Sequence, residues 1–246
     1  MERGRGKGAV LTATIRTIAT TESTNADLIA LAASGLGEGF WLRAEQQTGG
    51  RGRQGRVWQS PPGNFHGSTL VRLRASDPAP ATLALVAAVA LEEAVRVHAP
   101  EAALAIKWPN DLLLGGAKLA GILLERAGDA VVVGIGVNLA HHPGDLDRPV
   151  TSLAAHGTTP EVVTFAETLA DSFERWLARW RGEGLGPIRD RWTARAHPAG
   201  TALAANLPDG QRVEGLFDRL DHDGALILRL ADGSVRAIHA ADVFLI

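Results

Sequence analysis

The residues with the clearest chemical potential lie in a loop rich in glycine and arginine, TGGRGRQGRVW, at residues 48–58. It carries three guanidinium groups close together in sequence, on Arg51, Arg53 and Arg56. Such groups repel one another until an anion neutralises them, and several glycines make the loop costly to order. A phosphorylated ligand would remove both obstacles through forked hydrogen bonds. The loop therefore favours an anion-binding lid, with a solvated and merely flexible loop as the alternative.

The same loop also contains the G-x-G-x-x-G spacing of dinucleotide-binding proteins. That motif needs a helix that opens directly on the glycines, whereas Trp58 and the Pro-Pro-Gly run at 61–63 block a helix here. Three arginines in one loop do not form the basic face of a nucleic-acid-binding protein. The formal net charge of the chain is −2, so any positive field has to be local.

A second polar cluster lies in KWPNDLLLGGAKLAGILLE, residues 107–125. A two-residue turn at Gly115-Gly116 would pair residue 114 with 117, 113 with 118 and 111 with 120. Asp111 and Lys118 then share a face of the sheet as diagonal neighbours. Two interpretations stay open: a cross-strand ion pair at the surface, or a lysine poised to neutralise an anion beside a carboxylate that holds Mg²⁺.

Local patterns supply the elements that would position these residues. ESTNADLIALAASG predicts a helix that begins near Ser23 and ends near Gly35. Periodicity predicts further helices at about 81–98, 160–181 and 187–196, and strands at about 39–45, 66–74, 103–108, 111–114, 117–125 and 130–139. The short connections after residue 103 favour antiparallel pairing. The short alternating strands beyond residue 198 are typical of a small β-barrel.

Composition excludes several classes of protein. The sequence has no cysteine, which rules out a disulfide framework, a cysteine-ligated zinc and a protein thioester intermediate. Its longest apolar run, 83–91, is far shorter than the roughly 20 residues that span a bilayer. We therefore expect a cytoplasmic protein that binds no membrane, with a disordered basic leader at residues 1–13.

In combination, QTGGRGRQGRVW, KWPNDLLLGGAKLAGILLE and GIGVNL resemble the biotin protein ligases, from about Thr20 to the C-terminus. The resemblance implies an α+β fold: a class II synthetase-like catalytic domain at 14–197, with a mixed, largely antiparallel sheet and flanking helices, and an SH3-like β-barrel at 198–246. Within the family, the chain is similar to the short, enzyme-only group, which lacks a DNA-binding domain.

The activity implied is ATP-dependent conversion of biotin to biotinyl-5′-AMP, followed by transfer of biotin to a lysine of a biotin carboxyl carrier protein. Mg²⁺ would accompany ATP, nucleic acid would not be a partner, and the chain would be a monomer or a weak homodimer. Two alternatives stay open. One is a lipoate-type ligase of the same fold; the other is a non-catalytic nucleic-acid-binding module that uses the basic leader.

The resemblance also implies roles for individual residues. The implied catalytic set is Lys118, Arg53 and Asp111, with Lys118 contacting both the biotin carboxylate and the α-phosphate and Asp111 on the Mg²⁺ side. The implied biotin-binding residues are Ser23, Thr24, Asn25, Gln47, Gly50, Arg51, Gly52, Arg53, Lys118, Gly121 and Gly136, with Gly134 in the backbone beside the ligands. The implied ATP-binding residues are Arg53, Arg56, Trp58, Asn110, Lys118 and Asn138.

Some of these residues have plainer explanations. Trp58 resembles an adenine-stacking wall, but Ser23 and Thr24 also fit simple helix caps, and glycines in strands also fit bulges. The chain departs from the family pattern at His66-Gly67, where an aromatic and a small residue are common, which puts a wall contact there in doubt. It also lacks the glycine that often precedes the final strand.

Overall fold

The computed structural model describes residues 13–144, 146 and 148–246 and contains two β-sheets. The strands of the larger sheet are β1 (Thr14–Thr21), β2 (Phe40–Gln47), β3 (Phe65–Arg72), β4 (Leu104–Lys107), β5 (Asp111–Leu114), β6 (Ala117–Ala127) and β7 (Ala130–Val137). Their order across the sheet is β1-β2-β3-β7-β6-β5-β4. β1 and β2 are parallel, and the other neighbours pair antiparallel. This confirms the mixed, largely antiparallel sheet.

Helices cover both faces of this sheet: α1 (Thr24–Ala33), α2 (Leu83–His98), α3 (Val162–Glu183) and α4 (Gly186–Thr193). Successive residues along each strand point to opposite faces of the sheet, as the pleat requires, and paired residues on adjacent strands share a face. The pair Val71 and Val131 joins the main core with α2 and α3, whereas Leu70 and Val132 join a smaller cluster with α1. The helix near 81–98 is confirmed, and its residues from Leu85 to Leu91 are buried all round because it lies between the sheet and α3.

The second sheet consists of β8 (Ala202–Asn206), β9 (Arg212–Leu220), β10 (Leu226–Arg229), β11 (Val235–Ile238) and β12 (Asp242–Leu245). All neighbours are antiparallel, in the order β11-β10-β9-β8-β12. The indole N–H of Trp108 donates to the Gly224 carbonyl at 3.1 Å, and the rings of Trp192 and Phe217 meet edge to face with their centroids 6.2 Å apart. These contacts dock the second sheet against α4 and the connection between β4 and β5.

Two features differ from the sequence-based expectations. β1 was not predicted, because TIRTIATT is a largely exposed edge strand without apolar alternation. The pairing of residue 111 with 120 is wrong: Leu114–Ala117 and Leu113–Lys118 pair as expected around the Gly-Gly turn, but Asp111 pairs with Gly121. A β-bulge with one extra residue on β6 causes the shift.

The bulge has a physical reason in the backbone of Lys118. Its N–H donates to the Pro149 carbonyl and its carbonyl accepts from the Thr151 N–H, each at 2.9 Å. Because these groups bond to a third segment, the regular ladder to β5 is interrupted there.

The expected leader falls on residues outside the described part of the chain, apart from residue 13. Among the helices of the described residues, none combines the length and apolar character that a membrane span requires.

Candidate active site

A cavity of about 300 Å³ opens between the N-terminus of α1, the arginine loop, the β5–β6 hairpin and β12. The structure brings together at this cavity most of the residues that the sequence singled out. They are Ser23, Thr24, Asn25, Gln47, Arg51, Gly52, Arg53, Arg56, Trp58, Asn110, Asp111, Lys118, Gly121, Gly134 and Gly136. Gly50 and Asn138 are not among the lining residues.

One end of the cavity carries a network of uncharged hydrogen-bonding groups. The Thr24 N–H donates to Gln47 Oε1 at 2.9 Å, and the hydroxyls of Thr24 and Ser68 are 2.7 Å apart. The Ser68 hydroxyl in turn donates to Asn25 Oδ1 at 2.6 Å. Ser23 does cap α1, although its Oγ accepts from the Ala26 N–H at a long 3.5 Å. Donors and acceptors of this kind suit a neutral polar ligand group.

Gly134 permits the close approach of α1 to β7. A Cβ at this position would lie 2.2 Å from Asn25 Oδ1, so any larger residue would push the polar end of the helix off the sheet. The glycine is therefore required for packing within the protein. Gly134 also lines the cavity, and its place beside the ligands, implied by the resemblance, stays a prediction.

The indole of Trp58 lies on two glycines in the middle of the cavity. A Cβ at Gly136 would be 2.5 Å from Trp58 Cε2, and one at Gly121 would be 3.3 Å from Cζ3. The tryptophan expected to face adenine therefore contacts the glycines expected to face biotin. Its Nε1 is buried against Gly136 and has no hydrogen-bond acceptor within the described residues.

Lys118 and Asp111 form a partly buried ion pair at the charged end of the cavity. Lys118 Nζ is 2.5 Å from Asp111 Oδ1, and the two side chains are 12% and 10% exposed. Burial lowers the pKa of Lys118, and the charges of Arg148 and Lys107 act in the same direction, while Asp111 opposes them. The cavity thus holds a poorly solvated lysine whose position is set by a carboxylate.

The same carboxylate does not fit the expected Mg²⁺ site. Asp111 Oδ1 faces Lys118, and Oδ2 is 3.5 Å from the Nζ of Lys107. Mg²⁺ is a hard cation that takes oxygen ligands, and here each carboxylate oxygen already faces an ammonium group. No group of three or more His, Cys, Asp or Glu side chains suited to a metal exists in the described residues. The arrangement instead suits Asp111 to orienting the lysine.

The arginine loop folds back over the cavity and contacts the second sheet. Arg53 Nη1 donates to the Ala241 carbonyl at 3.1 Å and lies 3.5 Å from Asn110 Oδ1. Arg56 forms an ion pair with Asp242 at the start of β12. Burial lowers the pKa of Arg53, although a guanidinium stays protonated at any physiological pH. Arg51 points the other way, with Nη2 4.0 Å from Glu125 Oε1.

Two of the expected site residues support the cavity from behind. A Cβ at Gly50 would lie 2.6 Å from the Trp58 carbonyl, so this glycine allows the loop to close on itself. The Asn138 side chain donates to the Thr151 carbonyl at 3.0 Å. Asn138 thereby braces the segment whose backbone hydrogen bonds fix Lys118. His66 is also buried behind the cavity, with Nε2 3.2 Å from the Pro61 carbonyl.

Sequence reasoning placed Lys107 in the second polar cluster without a role, and it missed other residues that line the cavity, among them Ser68, Arg148 and Asp242. Ser68 stands next to Thr69 in β3, FHGSTLVR, and nothing in that pattern distinguishes the one hydroxyl from the other. Arg148 and Asp242 are distant in sequence from the loop and the hairpin. No local pattern marks them, since the fold alone brings them to the cavity.

Comparison with known proteins matches two parts of the chain. Residues 18–139 match the biotin/lipoate A/B protein ligase family, and residues 204–246 match the biotin protein ligase C-terminal domain. The chain is 44% identical to a biotin–[acetyl-CoA-carboxylase] ligase of Paracoccus denitrificans, over 92% of this chain and 98% of that protein. It is 38% identical to the ligase of the same name from Mycobacterium tuberculosis, over 92% and 86%.

The fold matches that of a solved structure, the biotin protein ligase of Aquifex aeolicus in complex with biotin and ATP. The TM-score is 0.85 at 21% identity, over 95% of this chain and 99% of that chain. At this identity the likeness supports the fold alone, while the curated relatives support the family. The sequence motifs, the fold and these relatives agree: the chain belongs to the biotin protein ligase family.

Proposed function

We propose that this protein activates biotin with ATP to form biotinyl-5′-AMP and then transfers biotin to a lysine of a biotin carboxyl carrier protein. The observation that carries the proposal is the division of one cavity into two ends. One end offers uncharged donors and acceptors around Thr24, and the other offers the cations Lys118, Arg53 and Arg56. A neutral ring and a pair of reacting anions need these two environments, side by side.

The uncharged end suits the ureido ring of biotin, which has a carbonyl acceptor and two N–H donors. The hydroxyls of Ser23, Thr24 and Ser68 can donate or accept, and Gln47 supplies an amide. The cavity volume of about 300 Å³ is at the lower end of the range for small-molecule sites. With the ring at this end, the valerate chain runs along the glycines toward Lys118.

In the first step, an oxygen of the biotin carboxylate attacks the α-phosphorus of ATP. A bond forms between that oxygen and phosphorus, and the bond from phosphorus to the leaving pyrophosphate breaks. Both reactants are anions, so the barrier is largely electrostatic, and fixed positive charge lowers it. Lys118 lies where the carboxylate and the α-phosphate would meet. Arg53 and Arg56, the lid arginines, face the phosphates.

In the second step, the amine of the carrier lysine attacks the acyl carbon of biotinyl-5′-AMP. An amide bond forms, the amine releases its proton to water, and AMP leaves. The intermediate is a mixed anhydride that water also cleaves, so a cover over the cavity is needed between the two steps. The arginine loop, held over the cavity by its contacts to Asn110 and Ala241, is suited to that task.

A lipoate-type ligase of the same fold is the second candidate, since the matched family includes lipoate ligases. The dithiolane ring of lipoate has no hydrogen-bonding N–H or carbonyl. Bound at the uncharged end, it would cover hydroxyl and amide groups without giving them partners, which is costly. The network around Thr24 and Ser68 therefore favours biotin.

The proposal also covers the setting of the reaction. ATP would enter as its magnesium complex, without a metal site built from this chain's carboxylates. We retain a catalytic domain up to about residue 197, followed by a C-terminal domain, because the second sheet begins at Ala202. A cytoplasmic location fits a reaction that consumes ATP.

The test is to incubate the pure protein with biotin, ATP, Mg²⁺ and a carrier domain, and to weigh the carrier by mass spectrometry. We expect a gain of one biotinyl group that requires ATP and is absent from a carrier whose acceptor lysine is replaced by arginine. ATP–pyrophosphate exchange should respond to biotin and not to lipoate. Exchange driven by lipoate alone, or an unmodified carrier, would contradict the proposal.

A further inference from the structure

We infer that Asp242, on the last strand of the C-terminal sheet, is a positioning residue for ATP that holds the lid arginines over the cavity before nucleotide binds. The inference rests on the proposed function, because it assigns the arginines to the phosphates of ATP. It adds a residue of the C-terminal domain to the nucleotide site.

The contacts of Asp242 are with the two arginines that face the cavity. Its carboxylate forms the ion pair with Arg56, and Oδ1 lies 3.9 Å from Nη1 of Arg53. The neighbouring Ala241 carbonyl accepts from the same Nη1 at 3.1 Å. The Asp242 side chain is 17% exposed, against 41% for that of Arg56. Two consecutive residues of the C-terminal domain thus anchor both cations.

This anchor addresses a problem set by the sequence of the loop. Guanidinium groups that share a short glycine-rich loop repel one another, and without a counter-ion the loop gains nothing by ordering. Asp242 supplies the negative charge from within the chain. The bonds of Arg53 to described residues use Nη1, so the Nε and Nη2 donors of its fork remain for a phosphate.

Asp242 is held in a fixed place relative to Lys118. It pairs with Asn206 in the ladder between β12 and β8, and the next residue, Val243, is 3% exposed. Beyond it, the ring of Phe244 lies 5.8 Å from Nζ of Lys107, which opens the motif that carries the hairpin. The distance between lid arginines and catalytic lysine is therefore set before any ligand arrives, which reduces the ordering cost of binding.

An opposite role for Asp242 is that of an internal anion that phosphate must displace. In that case removing its charge would tighten ATP binding. The Ala241 contact argues against it, because a backbone carbonyl carries no net charge and anchors Arg53 without competing electrostatically. The two roles predict opposite changes in the KM for ATP.

The experiment measures biotin-dependent ATP–pyrophosphate exchange for Asp242→Asn, Arg56→Ala and the double variant. We expect Asp242→Asn to raise the KM for ATP by about fivefold, the upper range for a partly exposed ion pair, with kcat and the KM for biotin within about twofold of wild type. In the Arg56→Ala background the same change should add less than about twofold, because its main partner is gone.

Matched controls separate positioning from general stability. Asp218→Asn removes a similar ion pair, with Arg219, on the same sheet and should leave the KM for ATP unchanged. Urea unfolding midpoints of all variants are measured alongside. Asp242→Glu keeps the charge and should retain most of the ATP affinity. Asp242→Ser, which also removes the charge, replaces Asp242→Asn if that variant does not fold.

Limited trypsin digestion of the ligand-free protein gives a readout that needs no activity. We expect cleavage after Arg51 and Arg53 to be several times faster in Asp242→Asn than in wild type or Asp218→Asn, because the loop loses its anchor. If wild-type protein shows no exchange, the proposed function fails while the digestion still tests the anchor. An active wild type with an unchanged or lower KM for ATP in Asp242→Asn, or effects that simply add in the double variant, would overturn the inference.

Discussion

Replacing Lys118 by methionine removes one positive charge from the cavity while nearly conserving side-chain volume. An ammonium about 4 Å from a phosphate oxygen contributes about 4 kcal/mol at an effective dielectric constant near 20. Part of this attraction is already present when ATP binds. Loss of a single fixed donor at a developing charge typically costs about 100- to 1000-fold in rate. We therefore expect kcat/KM for adenylate formation to fall by about that range.

The substitution also affects Asp111, which is 10% exposed at its side chain and loses its partner at 2.5 Å. Lys107, at 3.5 Å, would be the remaining cation beside it. To separate charge from folding, Asp111→Asn is made alone and together with Lys118→Met. Asp111→Asn keeps the lysine but removes the carboxylate that orients it and opposes the lowering of its pKa, so we expect a loss of about tenfold, as for other second-layer partners of functional groups.

The assay is single-turnover formation of biotinyl-5′-AMP, with urea unfolding of each variant as the check on folding. Activity of a folded Lys118→Met protein within about threefold of wild type would refute the electrostatic role of this lysine. Equal losses in Lys118→Met and Asp111→Asn would assign the effect to the pair's structure and not to the lysine charge.

Three further predictions concern binding, stability and pH. Gly136→Ala should raise the KM for biotin at least about tenfold, since the new Cβ would lie 2.5 Å from the indole of Trp58 and displace it. Glu92→Gln should lower the free energy of unfolding by about 3 kcal/mol, because a fully buried carboxylate bridges arginines of α2 and α4. Burial lowers the pKa of His66 from 6.5 to about 4. The unfolded chain then binds more protons between these values, so stability should fall by up to about 3 kcal/mol as pH drops from 6.5 to 4. His66→Phe should remove that part of the pH dependence.

Each of these predictions has its own control. Gly182→Ala, where a Cβ meets open space, should leave biotin binding unchanged, and an equal loss there would contradict the close-approach argument. Glu183→Gln breaks an exposed pair with Arg179 and should leave the urea unfolding midpoint unchanged. If Glu92→Gln is as mild, the buried bridge is not a significant stabiliser. If His66→Phe loses as much stability as wild type when the pH falls from 6.5 to 4, that loss belongs to other groups.

Much of the fold follows from local sequence signals. The apolar period of α2, the Ser23 cap of α1 and the Gly-Gly turn each encode a local structure that the tertiary contacts do not override. Lys118 and Asp111 meet because Asp111 lies within reach of Lys118 in the expected register, opposite residue 120, and in the observed one, opposite Gly121. The bulge that shifts Asp111 was not predictable, because its cause is a backbone pairing with residues 149–151.

The charged end of the cavity shows why the rest could not be predicted. Arg56 and Asp242 are separated by 186 positions and meet only once the C-terminal sheet is docked. Sequence reasoning took the neutralising anion to be a ligand, and the structure adds one within the chain. Trp58 was recognised as a site residue, but its contact with Gly136 depends on the path of the whole loop.

The central claim is that Lys118 and the lid arginines bring the biotin carboxylate and the α-phosphate of ATP together. A crystal structure with biotin and a non-hydrolysable ATP analogue tests it most directly. We predict Lys118 Nζ within about 3.2 Å of both a carboxylate oxygen and an α-phosphate oxygen, with Arg53 and Arg56 on the phosphates. A structure in which Lys118 stays on Asp111 while the two ligands bind apart, and the arginines face solvent, would contradict the account.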